Sequence, residues 1–325
     1  MALGENISKP EIAVIVVSWN TRELLEGCLR SLEADALNGR LDVCVVDNAS
    51  HDGSARLVRD GFPWATLIES PENLGFGAAV NLAAERTEGR WLAAANADVA
   101  VAPGALDALL SAGASDPRAG ALAPRLVLPD GRTQHSVYAF PSVVVTLVLA
   151  LGLGRAIPWL GDRLLLVGEW DPERARRVPW AIAAFLLIRR DAWAAAGGFD
   201  PQQWMYAEDL ELGWRLRRAG FSTRYVPHAR VEHRSAAATS RAWGDERTAR
   251  WMRSTYAWTF RRRGPLRTRT IAAISICSAL ARYVALSPLA LFAPDPWRAR
   301  RAVWATWARL HRAGLARASS LRAHR

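Results

Sequence analysis

Residues 206–214 read YAEDLELGW. Glu208, Asp209 and Glu211 stand among Trp204, Tyr206 and Trp214, just ahead of the arginine-rich RLRRAG. A carboxylate within hydrogen-bond reach of a hydroxyl can take its proton and so activate a poor nucleophile. Acidic residues also favour helix N-termini, where the backbone dipole stabilises negative charge. That second reading accounts for the charges but not for the aromatic neighbours, whose faces either hold a ligand ring or pack a core. A further set of polar residues lies far upstream: Ser18 and Asn20, then Asp47, Asn48 and Ser50, then Asn73 and Gly75, then Asn96 and Asp98.

The elements around these residues alternate between two periodicities. IAVIVVS (12–18) is a continuous β-branched run, as expected of a strand buried on both faces, and Leu24, Leu25, Cys28, Leu29 and Leu32 follow at helical spacing. The pattern repeats through LDVCVVD (41–47), ATLIE (65–69), a helix from Ala78 to Arg86, RWLAAANAD (90–98) and a helix opened by Pro103. Strands alternating with helices predict an α/β fold with a mostly parallel central sheet, and ligands bind such sheets outside the carboxyl ends of the strands. The upstream polar residues all fall at those ends. Singly, each could cap a helix or form a turn. Asp47 could equally present a carboxylate to a ligand, and Gly75 and Gly77 in NLGFG could let backbone approach one closely.

Six stretches also carry a resemblance. VIVVSWN, VVDNASHDGS, ENLGFGAAVN, NADV, GGFDPQQWMYAEDLELGWRLRRAG and VPHARVEH occur in the order and spacing of family 2 glycosyltransferases, and look most like their rhamnosyltransferase branch, across residues 12–235. The resemblance implies a GT-A fold, a nucleoside-diphosphate sugar donor such as a dTDP- or UDP-sugar, a divalent cation (Mn2+ or Mg2+), and inversion at the anomeric carbon. It makes Ser18, Asn20, Asp47, Asn48, Asn73, Gly75 and Asn96 the donor site, with Asp47 matching the residue that relatives use for the base. It makes Asp98 and His233 the metal ligands. Where many relatives carry Asp-x-Asp, this chain has Asn96, Ala97 and Asp98, one carboxylate fewer. Asp209 matches the second acidic residue of the family's Glu-Asp pair and so is the expected base. Glu208 would position the acceptor or orient Asp209, Glu211 would cap or pair locally, and Trp204, Tyr206 and Trp214 would face the acceptor sugar.

Composition bounds the rest. The chain has 325 residues, half of them hydrophobic, enough for a full core, and a formal charge of +11, which suggests a phosphate-rich or anionic partner. Cys28, Cys44 and Cys277 have no metal spacing, and the first two sit in apolar runs as buried thiols of a reducing compartment. MALGENISKPE lacks the basic-then-apolar order of a signal peptide, so the expected location is the cytoplasmic face of the membrane.

The catalytic domain is expected over 1–240, with a basic, Trp- and Arg-rich helical region over 241–325. IAAISICSALARYVALSPLALF (271–292) approaches bilayer width but is interrupted by Arg282 and Pro288, which favours an interfacial helix over a span. After Trp297, Val303, Trp304, Trp307, Leu310 and Leu315 share one helical face and Arg298, Arg301, Arg309 and Arg312 the other, the pattern of a helix lying in an anionic membrane surface. SVVVTLVLALGL (142–153) reads as a lipid-touching loop on the acceptor side. The expected partners are the sugar donor, a lipid-linked glycan acceptor of the cell envelope, and that membrane surface. A nucleotidyltransferase would need a glycine-rich phosphate loop after the first strand, which SWNTREL lacks. No nucleic-acid motif accompanies the charge.

Overall fold

A computed structural model describes residues 10–234, 246–288 and 294–316. They cluster into two units, one made of 1–138 and 171–244, the other of 139–170 and 245–325.

The first unit is built on one sheet. β1 (Ile12–Ser18), β2 (Leu41–Asp47), β3 (Thr66–Glu69) and β4 (Trp91–Asn96) pair in parallel in the order β3-β2-β1-β4. Their connections are α1 (Arg22–Leu37), α2 (Ser54–Gly61) and α3 (Phe76–Ala84). Ile12 to Val16 are at most 1% exposed, as a strand covered on both faces requires. α3 starts two residues before its expected position because Gly75, at φ 80, turns the chain into it.

Beyond β4 the sheet is mixed. β5 (Val99–Val101), α4 (Ala105–Ala114), β6 (Ala119–Val127), the short β7 (Val137–Tyr138), β8 (Arg176–Val178) and β9 (Trp180–Ala181) lead to β10 (Phe185–Arg189). β10 runs antiparallel between β4 and β6. After α8 (Arg190–Ala196) and α9 (Glu208–Arg218), the long β11 (Ser222–His233) pairs parallel with β6 and antiparallel with β5 and β8. An apolar run such as FLLI reads the same in either direction, so periodicity carried no cue to this reversal.

The second unit is helical. α5 (Val143–Ala150) forms where a loop was expected, and α6 (Leu153–Ala156) and α7 (Pro158–Arg163) follow it. They join α10 (Glu246–Arg263), α11 (Pro265–Ala285), α12 (Pro294–His311) and a final 3-10 turn. Met252, Tyr256, Ile271 and Ala272 form a small core, with Trp307 and Leu310 of α12 packed against it. Phe140 stacks on the wholly buried Trp258 at 6.0 Å. Among the described residues, no helix is long and apolar enough to cross a membrane. Residues 289–292 of the segment weighed as a span lie outside the described residues.

Candidate active site

The strand ends and the head of α9 enclose a cleft of about 260 Å³. Register builds one wall. Ser18 pairs with Asp47 across β1 and β2, and Asn96 ends β4 beside Val17. Asn48, Asn73 and Asn96 line the cleft. Asn48 is a brace: its Nδ2 donates to Asn73 Oδ1 at 2.9 Å, and its Oδ1 accepts from the Leu74 amide at 2.9 Å. One side chain thereby ties the end of β2 to the loop that enters α3. That loop depends on Gly75, where a Cβ would stand 2.2 Å from the Trp204 carbonyl oxygen.

The other expected donor residues are not part of this lining. Ser18 is fully buried, its Oγ 3.1 Å from Thr21 Oγ1. Asn20, at φ 53, accepts from the His51 amide at 2.8 Å, and its own amide donates to Ser50 Oγ at 3.0 Å, so it joins two strand-end loops. Asp47 is 5% exposed with Oδ1 unpartnered, and burial pushes its carboxyl above the usual range.

A second wall carries an imidazole and a carboxylate. His233 pairs with Val99 in the β5–β11 ladder, and the Arg234 amide donates to the Asp98 carbonyl at 3.0 Å. The ladder sets His233 Nε2 3.3 Å from Asp98 Oδ1, with both side chains under 10% exposed. The other ring nitrogen, Nδ1, lies 2.7 Å from Gln134 Oε1. A carbonyl oxygen can only accept, so Nδ1 carries the proton and donates. Nε2, which has no hydrogen-bond partner, faces that carboxylate oxygen. An imidazole nitrogen beside a buried carboxylate is a donor set suited to a divalent cation. Among the described residues no group of three or more His, Cys, Asp or Glu side chains gathers to hold a metal ion.

The third wall is the opening of α9. Tyr206 and Ala207 both adopt left-handed backbone, at φ 62 and 64, a costly conformation for residues with a Cβ that is concentrated at functional sites. The reversal aims the next two side chains, and Tyr206, Glu208 and Asp209 all line the cleft. Asp209 accepts from the Leu210 amide at 2.7 Å and from the Ala183 amide. Glu208 is 8% exposed and its Oε2 has no partner. Burial raises both carboxyls, Asp209 to about 6, and Glu208, which also feels the charge of Asp209, to about 8. Neighbouring carboxyls with separated proton affinities can divide a donor role from an acceptor role.

Three aromatic or acidic neighbours have other partners. Trp204 Nε1 donates to the Asn73 carbonyl at 3.3 Å, and Trp204 backs Gly75. Trp214 lies further along α9, away from the cleft lining. Glu211 pairs locally, as expected, with Arg215 Nε at 2.8 Å, but it is wholly buried. Arg215 also reaches Asp200 at 3.3 Å, so this is an internal ion-pair network. Sequence reasoning passed over Trp19, Thr21, Phe76, Ile182 and Met205 of the lining, and Gln134 behind His233. Trp19 did carry a signal, a large aromatic residue between the polar strand-end residues Ser18 and Asn20.

The sequence profile described as Glycosyl transferase family 2 matches residues 13–139, and that of Glycosyltransferase like family 2 matches 167–254. An N-acetylglucosaminyl-diphospho-decaprenol L-rhamnosyltransferase of Mycobacterium tuberculosis is 32% identical over 294 residues, spanning 82% of this chain and 94% of that one. The rhamnosyltransferase WbbL of Escherichia coli is 34% identical over 81 residues, 23% of this chain and 31% of that one. Among solved structures, a mannosyltransferase of Pyrobaculum calidifontis in complex with GDP-Man and Mn2+ superposes with a TM-score of 0.58 at 20% identity, covering 94% of this chain and 86% of that one. With its mixed sheet, strand-end cleft and paired carboxyls, the chain belongs to the family 2 glycosyltransferases and has the GT-A fold.

Proposed function

We propose that this glycosyltransferase moves a rhamnosyl group, with inversion, from a nucleoside-diphosphate donor such as a dTDP- or UDP-sugar to a hydroxyl of a lipid-linked N-acetylglucosaminyl acceptor. The names of the mycobacterial and E. coli relatives support the sugar, and the mycobacterial name supports the acceptor. The observation that carries the chemistry is that one cleft is lined by the Asp98–His233 pair and by Asp209.

The asparagines at the strand ends hold the donor, and buried Asp47 offers its unpartnered Oδ1 to a donor N–H group. Asp98 and His233 would hold a divalent cation, which neutralises charge growing on a diphosphate leaving group. Asp209, fixed by two backbone amides, accepts the proton of the acceptor hydroxyl as the new glycosidic bond forms. Glu208 keeps its proton at neutral pH and can donate a hydrogen bond to the acceptor. Trp204, Tyr206 and Trp214 were expected beside the acceptor sugar, and Tyr206 supports that reading because it lines the cleft. The basic C-terminal region brings the enzyme to the cytoplasmic face of an anionic membrane, where a lipid-linked acceptor resides.

The test offers purified enzyme a panel of dTDP- and UDP-sugars with a polyprenyl-diphosphate N-acetylglucosamine acceptor and Mn2+. Rhamnosyl transfer should exceed all other donors and stop in excess chelator. A different preferred donor overturns the sugar assignment, and full activity in chelator overturns the metal pair.

A further inference from the structure

Exposed apolar surface is segregated in this protein. Of the thirteen large hydrophobic side chains that stand exposed among the described residues, all but Leu37 belong to the unit made of 139–170 and 245–325. Charge is segregated the same way. Residues 245–325 hold seventeen arginines against three acidic residues, so the rest of the +11 chain is net acidic.

Within that unit α5 is unusual. Its sequence, VVVTLVLA, is apolar around the whole helix, a composition that belongs in a buried environment. Only Val148 is buried, while Val144 is 63% and Leu151, at the helix end, 67% exposed, with Leu147 on the same face. Its polar groups, by contrast, are satisfied internally. Ser142 Oγ accepts from the Val145 amide at 3.2 Å, and Thr146 Oγ1 donates back to the Ser142 carbonyl at 2.9 Å. At the other end Arg282 of α11 donates to the carbonyls of Leu149 and Ala150 at 3.2 and 3.0 Å, while its guanidinium lies 4.8 Å over Trp304. Capping both ends lowers the cost of carrying an apolar helix out of bulk water, because an unpaired carbonyl loses hydration as it moves toward lipid. Next to that clamp α11 exposes a second apolar stripe, Ala273, Cys277, Leu280 and Val284.

We infer that α5 and the exposed stripe of α11 form a wedge that enters the headgroup region of an anionic bilayer, held there by the unit's exposed arginines. Arg267, Arg269, Arg298, Arg309 and Arg312 are exposed on the same unit, and exposed apolar side chains together with arginine match the chemistry of anionic lipid. This rests on the membrane reading above and adds which element inserts.

Cys277 gives a direct probe, because it is exposed whereas Cys28 and Cys44 are buried. The full chain, labelled there with a polarity-sensitive dye, is mixed with vesicles of phosphatidylcholine alone or containing phosphatidylglycerol. The dye should shift to the blue only with the anionic vesicles, and binding should weaken at least about tenfold for the double variant Val144→Asp, Leu151→Asp, in keeping with the cost of charge at an inserted position. Leu280→Asp, on the other helix, should act alike, and Leu37→Asp should leave binding unchanged. Circular dichroism checks that each variant is folded. If the parent binds neither vesicle, the membrane reading itself fails and the wedge with it. If the parent binds anionic vesicles but both wedge variants bind equally well, charge alone carries the attachment and the wedge is wrong. A blue shift that grows with protein concentration without lipid would mean that a second copy covers the face, and would also overturn the proposal.

Discussion

Glu208 and Asp209 are adjacent in sequence and unlike in surroundings, and pH should separate them. Asp209 must be ionised to take a proton, and burial raises its carboxyl to about 6. Transfer should therefore fall as pH drops through about 6, above the ordinary carboxylate range. Asp209→Asn should lower the transfer rate roughly 10²- to 10⁴-fold with donor affinity retained, measured by kinetics beside a nucleotide-binding titration. Glu208 leaves a different trace. Its folded value, about 8, lies above its unfolded one, so the folded state holds the proton more tightly. Its stabilising contribution is fully present below the unfolded value and is lost as pH rises toward about 8. Glu208→Gln should flatten that loss in a series of melting curves. Gln134 tests the imidazole. In Gln134→Leu, His233 can carry its proton on Nε2 and donate to Asp98, so each satisfies the other. Mn2+ affinity, titrated without donor by electron paramagnetic resonance, should weaken about 10- to 100-fold.

At the scale of elements, two helix starts hold the cleft in shape. Glu211, wholly buried, fastens α9 through Arg215 to Asp200. Glu211→Ala should destabilise the protein by about 3 kcal/mol, because it strands a half-buried arginine, and chemical denaturation would read this directly. Gly75→Ala asks a Cβ to occupy space 2.2 Å from a carbonyl oxygen at φ 80, so the loop carrying Asn73 must move, and nucleotide affinity should fall more than thermal stability. The parallel strands were legible in sequence because strands covered on both faces are continuous β-branched runs, and their polar ends marked the cleft. The Asp98–His233 pair was legible only by resemblance. Nothing local in either segment shows that β5 and β11 lie side by side, nor that the loop after β6 returns Gln134 to His233. The left-handed turn at Tyr206 and Ala207 was also illegible, because neither residue announces positive φ as glycine does.

At the scale of the whole molecule, charge and exposed apolar surface are segregated together. Replacing the exposed Arg298, Arg309 and Arg312 by Gln should cost about 1 kcal/mol each in affinity for anionic vesicles and should reduce the salt dependence of binding, measured by vesicle flotation. The basic region follows the sheet in sequence, but residues 139–170 cluster with it, which the sequence did not reveal. Contacts across such a separation depend on tertiary structure that no local pattern encodes. The same separation matters while the chain is being made. The Ala150 carbonyl waits 132 residues for its partner Arg282, roughly 7 to 26 s at ribosomal speeds of about 5–20 residues per second. For that interval the nascent chain displays an apolar helix with its C-terminal end uncapped. Ribosome-stalled chains whose residue 282 has not yet emerged should therefore bind chaperones through α5, and chains in which it has emerged should release them, which makes the emergence of residue 282 the point in synthesis at which this helix becomes self-sufficient.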